Sequence, residues 1–444
     1  MIMKIQKAPN WKEYINENFL EKAFSSSELK VLQKKAQKDY MYWDTFKYQN
    51  MPDGFISEEA WSFIKLERTS LYQETPVKST DGKKFQLAIT NTLNQKLNFI
   101  DTNASGLKMN KISEAQKNKF ILTGLTEEAI ATSQLEGANT TRKIAKEMLA
   151  SQRQPRTKDE QMIINSYQMM QKLTKWKDLD LSEEMLLEIQ TTVTEKTLDD
   201  INDQGRFRRD DDEIVVKDRI TDEIVHTPPK EMEMRLELKK LIEFANKPEE
   251  EDSEDFIHPV VKASVLHFWI AYLHPFVDGN GRTARAVFYW YLLKHNYWLV
   301  EYLTISRAII HSKKGYDNSF IYSENENDLT YFVFYIADTF KTAITKFIGY
   351  FNEKIKEIEE FKKVADRLED YNPRQVALLK YFLDNSSYSP AEVKIHQSKH
   401  GISHQTANND LTELVHKGLL TKVMKKRKYI YMPNIEKIKK LFNT

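Results

Sequence analysis

A chain of 444 residues has room for two to four domains at roughly 100 to 200 residues each. With 41% hydrophobic, 30% charged and 11% aromatic residues, the composition is that of an ordinary globular protein, and wholesale disorder is excluded. The absence of cysteine excludes disulfides, thiolate metal sites and cysteine nucleophiles, and a formal net charge of +1 gives no global pull toward nucleic acid, membrane or an acidic substrate. The start, "MIMKIQKAPNWKEY", lacks the apolar stretch of a signal peptide, and no apolar run of roughly 18 residues occurs elsewhere, so a cytoplasmic protein with no membrane partner is expected.

From Trp11 to about Leu149 the pattern is mostly helical, with loops at "YQNMPDG" and around "DTNASG". Within this part, "TEEAIATSQLEG" keeps helical spacing and stops at Gly137, a residue suited to a helix C-cap, and Thr132 and Glu136, four apart, share one face. The helical period continues in "SEEMLLEIQTTVTEKTL". It then gives way to "GRFRRDDDEIVVKDRITDEIVHTPP", whose two β-branched runs predict a hairpin from Ile214 to Val225. The run "RRDDDE" lacks the glycine and distal glutamate of an EF-hand loop and reads as a solvated charge run. Helices return at "PKEMEMRLELKKLIEFANK", break at the acidic "PEEEDSED", and resume in "VVKASVLHFWIAYL", which leads into "HPFVDGNGRTAR", residues 274 to 285. A further helical block reaches about Leu368, and its highly charged last part suggests a connecting helix. After a boundary near Tyr371 come a short helix "PRQVALLKYFL", a second helix from Ser403 to Gly418, and "GLLTKVMKKRKYIYMP", which alternates like a small hairpin.

The loop between two helices carries the chemistry. Pro275 ends the preceding helix and sets His274 at the mouth of the loop. Gly279 and Gly281 let an anion approach main-chain N–H groups, and the helix that starts beyond Gly281 aims its positive end at the same point. Arg282 and Arg285, three apart on its first turn, are candidate ligands of a polyphosphate, and Asp278 of the magnesium ion that accompanies it. His274 is the candidate general base toward an incoming hydroxyl. The bland alternative for any one glycine-rich turn is a capped helix start with solvated arginines.

At these residues the sequence resembles the Fic family, whose signature is His, Pro, Phe, any residue, an acid, Gly, Asn, Gly, Arg, two of any kind, and Arg. Every specified position matches from His274 to Arg285, and the helices from about Lys158 to Phe351 look like the family's helical core. The resemblance implies transfer of AMP from ATP to a hydroxyl side chain of a protein, with Mg2+ and with pyrophosphate as leaving group. By position, it makes His274 the base, Asp278 the metal ligand, and Asn280 with the amides near Gly279 and Gly281 the α-phosphate cradle. Arg282 and Arg285 become the β- and γ-phosphate ligands, and Phe276 a core anchor. Family members that transfer a phosphate carry lysine where this chain has Gly281, so Gly281 favours AMP transfer. Tyr316 would line the adenine pocket by a looser likeness, with a core role as the alternative.

The family's inhibitory helix reads Ser or Thr, three of any kind, Glu, then Gly or Asn, and Thr132 to Gly137 fits it. Glu136 is then expected to pair with Arg285 and hold the fork that ATP's γ-phosphate needs, as in the bacterial class that inhibits itself. The hairpin, an ordinary edge hairpin when taken alone, is by resemblance a flap that aligns a target by main-chain pairing, with Val215 and Val216 as candidate contacts. His258 and His267 also match family positions and read as capping or structural residues. The carboxy-terminal block resembles a winged helix-turn-helix, which opens DNA binding on one side and oligomerisation or docking on the other.

The expected fold is mainly α. It comprises a helical region at 1–118, a Fic core at 119–350 with the inhibitory helix near 126–137, a linking helix at 351–370, and a winged helix-turn-helix at 371–444. Expected partners are a protein with a Ser, Thr or Tyr hydroxyl, the chain itself, DNA through the winged helix, and a second copy in a homodimer. Two other readings stay open: a DNA- or protein-binding regulator whose core senses nucleotide with little turnover, and an enzyme that moves another phosphate-linked group or reverses the modification.

Overall fold

In a computed structural model of the chain, residues 5–106, 114–218, 221–248, 256–368, 370–384, 390–425 and 428–443 are described. Helices dominate, accompanied by three separate two-stranded antiparallel hairpins. By contacts the chain divides into two compact units, Met1–Ile348 and Gly349–Thr444. Among the described residues no helix is long and apolar enough to cross a membrane.

The first unit opens with α1 (Glu17–Ser25), α2 (Ser27–Lys38), α3 (Trp43–Phe46) and α4 (Ser57–Ser70). Asn16 and Ser26 start α1 and α2 by accepting the N–H groups of Phe19 and Leu29, orphan donors that a helix start must satisfy. Then comes a hairpin absent from the sequence reading, β1 (Tyr72–Lys78) with β2 (Lys84–Ala88). Its signal is the burial of Thr75, Val77, Phe85 and Leu87 on alternate positions about the turn at Gly82, whose φ is 82°. The loop expected around "DTNASG" is also corrected. Helix α5 (Asn91–Gly106) runs through it, because Leu93, Leu97 and Ile100 bury one helical face and Asp101 accepts from Tyr297 and pairs with His258. These tertiary partners override a loop-like composition.

Next in order are α6 (Glu114–Leu135), α7 (Arg142–Ser151), α8 (Lys158–Trp176), α9 (Glu183–Thr194), the strands β3 (Val216–Lys217) and β4 (Ile224–His226), and α10 (Glu231–Asn246). They are followed by α11 (Pro259–Leu273), α12 (Asn280–Lys294), α13 (Ile305–His311), α14 (Lys313–Glu326) and α15 (Thr330–Arg367), the last of which carries the division between the units. Helix α6 ends as the glycine predicts: Gly137 has φ 102° and its N–H bonds the Gln134 carbonyl, while Ala138 N–H bonds that of Ser133. Helix α11, apolar on every side, is the central element, as a helix without a polar face must be. Helices α10 and α12 pack on it, α8 and α9 flank α12, and α6 lies on α8 and α13.

A buried polar knot joins the amino-terminal helices to this core. Arg68 donates to the Tyr331 hydroxyl (2.7 Å), the Met41 carbonyl (3.0 Å) and Gln37 Oε1 (2.9 Å). Buried Asp328 accepts from the hydroxyls of Tyr40 and Tyr72 at 2.7 Å each and from Thr330 N–H at 2.9 Å. Strand β2 is tied in as well, since Gln86 donates to the Asn327 carbonyl and accepts from Leu329 N–H.

In the second unit, α16 (Pro373–Asp384), α17 (Val393–His400) and α18 (His404–His416) precede the hairpin of β5 (Leu420–Lys425) with β6 (Lys428–Pro433), and α19 (Ile435–Asn443) closes the chain. Helices α17 and α19 were not among the expected elements. Leu379, Phe382, Leu411, Leu414, Tyr431 and Ile438 form this unit's own core.

We predict that Asp328→Ala destabilises the protein by at least about 2 kcal/mol in urea unfolding, since two tyrosine hydroxyls lose their acceptor at about 1 to 3 kcal/mol each. Lys83→Ala, on the exposed turn, should stay within about 0.5 kcal/mol of the parent.

Candidate functional site

The site is built where α11 stops and α12 starts. His274 is the C-cap of α11 in the left-handed region, φ 46° and ψ 57°, a conformation a bulky residue adopts only when its surroundings hold it there. Buried Arg208 does the holding: Nε donates to the His274 carbonyl (2.7 Å), Nη2 to those of Pro229 (2.5 Å) and Leu273 (3.2 Å), and its own N–H to that of Pro275 (2.9 Å). The imidazole Nδ1 lies 3.2 Å from the Ala271 carbonyl. A carbonyl only accepts, so Nδ1 carries the proton and Nε2 keeps its lone pair. Burial outweighs this bond and pushes the His274 pKa down to about 4, helped by the nearby His226 and Arg208. At neutral pH the ring is uncharged.

The loop that follows is closed on itself. Phe276 is buried and stacks on Phe207, ring centroids 5.3 Å apart. Asn280 Oδ1 accepts Phe276 N–H (2.9 Å) and Nδ2 donates to the Phe276 carbonyl (2.8 Å), so the Asn280 side chain is spent on the loop and only its N–H faces a ligand. Gly279, φ 90°, is the N-cap of α12, and a Cβ there would sit 2.8 Å from Thr194 Cγ2. Buried Gln190 donates to the Asp278 carbonyl (3.3 Å) and fastens the loop to α9. The exposed Asp278 carboxylate accepts Gly279 N–H (2.5 Å) and Arg282 Nη2 (3.2 Å).

Arg282 and Arg285 diverge from this turn. Arg282 is buried, with Nη1 on the Val193 carbonyl and Nη2 on Asp278. Arg285, also buried, turns to α6: Nε donates to Thr132 Oγ1 (2.7 Å), and Nη2 to the Thr132 carbonyl (3.2 Å) and Glu136 Oε1 (2.7 Å). Burial opposes the charge of Arg285, and Glu136 together with Tyr316 and Glu128 more than offsets it, leaving the guanidinium more basic than usual. The same carboxylate lies against Gly281, where any Cβ would overlap Oε1. An anion is thus already seated at the first turn of α12, whose leading N–H groups have no intrahelical partner. The Tyr316 hydroxyl lies 2.8 Å from His267 Nε2. Burial holds Tyr316 above the usual phenol range and pushes His267 down to about 3, each also feeling the charge of Arg285.

The hairpin is shorter than the sequence suggested. Val216 pairs with His226 and Lys217 with Ile224, whereas Val215 precedes the strand; both valines are half-buried, and Arg219 and Ile220 lie outside the described residues. Its base is pinned by His226, with Nδ1 2.8 Å from Glu324 and Nε2 2.7 Å from the Tyr272 carbonyl. The charge run nearby is structural: Arg206 pairs with Asp203 and Asp212, and Asp210 accepts Glu231 N–H at the start of α10. His258 caps α11 by accepting Val260 N–H at 3.2 Å. Arg208, Gln190 and His226 escaped the sequence reading because their partners are backbone carbonyls or a residue far along the chain, which leave no local pattern.

Residues 180–292 match the Fic/DOC family. Over 113 residues the chain is 29% identical to protein adenylyltransferase Fic of Drosophila grimshawi, a match covering 26% of this chain and 21% of that protein. It is 28% identical over 113 residues to protein adenylyltransferase fic-1 of Caenorhabditis elegans, covering 26% and 20%. The chain spans about a fifth of the length of these curated relatives. The crystal structure of a Fic family protein from Desulfovibrio desulfuricans aligns with 78% of this chain and 97% of its own at a TM-score of 0.52 and 16% identity, a shared fold. Residues 180–292 of this chain are therefore a Fic/DOC family domain.

Proposed function

We propose that the protein is an adenylyltransferase that moves AMP from ATP to a hydroxyl side chain of a protein, itself included, and that Glu136 restrains it. The chief support is the neutral His274 imidazole, its Nδ1–H given to Ala271 and its Nε2 free to accept, on the loop that opens the helix start where the Glu136 carboxylate now sits. In the reaction, Nε2 takes the proton of the incoming hydroxyl while its oxygen bonds the α-phosphorus. The bond from that phosphorus to the bridging oxygen breaks, and pyrophosphate leaves. The N–H groups of Asn280 and Gly281, and that of Gly279 once Asp278 turns from it to the metal, would hold the α-phosphate, and Arg285, once released by Glu136, the terminal one.

Magnesium enters with the nucleotide. Among the described residues no three carboxylate or imidazole groups converge to hold a metal by themselves. The exposed Asp278 carboxylate nevertheless suits an ion that takes one protein oxygen plus phosphates and waters. That ion would neutralise charge on the phosphates. Val215 and Val216 are proposed to align the target main chain, Tyr316 to border the adenine site, and residues 371–444 to form a winged helix-turn-helix. A homodimer remains part of the proposal.

Two measurements test this reading. Intact mass after incubation with Mg2+ and ATP should show one added AMP on Glu136→Gly, much less on the parent, and none on Glu136→Gly/His274→Ala. No gain in any sample would remove both the chemistry and the restraint. In the Glu136→Gly background the rate should be level at neutral pH and fall on acidification as His274 protonates, since burial holds the imidazole uncharged at neutral pH. A rate that does not fall on acidification would count against His274 as the base.

A further inference from the structure

The near-zero net charge conceals a segregation. Residues 371–444 hold thirteen Lys and Arg against five Asp and Glu, a net of +8, so the rest of the chain is at −7. The positive charge lies on a defined scaffold. Helix α17 is followed by the turn Gly401–Ser403, with Gly401 at φ 61°, and then by α18, whose start Ser403 caps by accepting Thr406 N–H. Buried Asp410 of α18 accepts from Arg374 of α16 (2.8 and 3.0 Å) and from Asn372 (2.8 Å), and lies 3.1 Å from His396 of α17. This knot fixes how the three helices sit against one another.

The first two turns of α18 leave His404, Gln405 and Asn409 exposed. Beside them stands the β5–β6 hairpin, whose Tyr431 hydroxyl lies 3.5 Å from Asn408 of α18. At the hairpin end Lys425 is directly opposite Lys428, and Lys422 is exposed further along the same strand. Like charges opposed in a hairpin cost stability, and among the described residues neither Lys425 nor Lys428 has an acidic partner. Both lysines are exposed, so their charge is open to an anionic partner.

We infer that residues 371–444 bind double-stranded DNA, with the start of α18 in the major groove and Lys422, Lys425 and Lys428 on the phosphate backbone. Glutamine and asparagine on two successive turns suit adenine edges, which present an acceptor beside a donor. The short turn between α17 and α18 and the basic hairpin beside α18 match how such helices dock. Duplex RNA offers no equivalent groove, because its major groove is too narrow for a helix. This inference is independent of the transferase reading.

The test is fluorescence anisotropy of the full-length protein with a labelled mixed-sequence duplex of about 30 bp, titrated with salt. Binding should be micromolar at low salt, and Lys422→Gln/Lys425→Gln/Lys428→Gln should weaken it ~10-fold or more and flatten the log–log salt slope by roughly 2 to 3. Gln405→Ala/Asn409→Ala should weaken binding with the slope unchanged. All variants should keep the parent's melting temperature, which separates lost contacts from lost fold. Absent binding, an unaltered affinity in the lysine variant, equal binding of duplex RNA, or displacement of DNA by polyglutamate at matched charge would each overturn the inference, the last in favour of an acidic protein partner.

Discussion

Arg285 cannot shed its charge, and it is buried. A guanidinium in that position needs an anion and further acceptors around it, and leaving one partner out typically costs about 3 to 5 kcal/mol. Thr132 fills two of the needs and Glu136 the third. This requirement helps set the register of α6 against α12, because residues four apart present a hydroxyl and a carboxylate to the same fork. In the proposed reaction a phosphate takes the place of the carboxylate. Arg285 then keeps an anionic partner throughout, so the exchange does not leave a bare buried ion.

The loop itself is rigid for a different reason. It is tied down at three points: Asn280 closes on Phe276, Arg208 gathers the carbonyls at the end of α11, and Gln190 ties the Asp278 carbonyl to α9. Buried ties of this kind favour one arrangement. His274 is thereby held neutral and oriented before any ligand arrives, with no geometry left to organise at the moment of reaction. Arg282 belongs to this scaffold as much as to a phosphate site, since the Val193 carbonyl and Asp278 already engage it.

What could be read from the sequence was what depends on local spacing. The run from His274 to Arg285 sets a helix end, two glycines and a helix start in fixed order, and Thr132 with Glu136 declare a shared face four residues apart. Period-two burial at β1 and β2 was hidden among helical neighbours, and the polar "DTNASG" is helical because Asp101 finds Tyr297 and His258 far along the chain. The parting of Arg282 from Arg285 had no local signal either. It follows from which carbonyls and hydroxyls α9 and α6 bring up to each fork. Charge segregation was invisible to a whole-chain sum because a basic carboxy-terminal part and an acidic remainder cancel.

How the clamp on Arg285 could open follows from what holds α6. Upstream, Glu127 pairs with Arg142, Lys146 and Arg307, and Glu128 accepts the N–H of Ser306 at the start of α13. Ser133 is bonded to the Met162 carbonyl and to Ser166 on α8. Moving the helix bodily would break all of these at once, the bonds of Ser133 and Glu128 among them buried. Glu136 stands apart: it is the first residue past Leu135, and the chain turns away at Gly137. A displacement at this end of the helix disturbs none of the upstream bonds. In the proposed reaction, an opening confined to this end costs less than one that moves the helix, and a phosphate at the first turn of α12 competes with the Glu136 carboxylate instead of with the packing of α6.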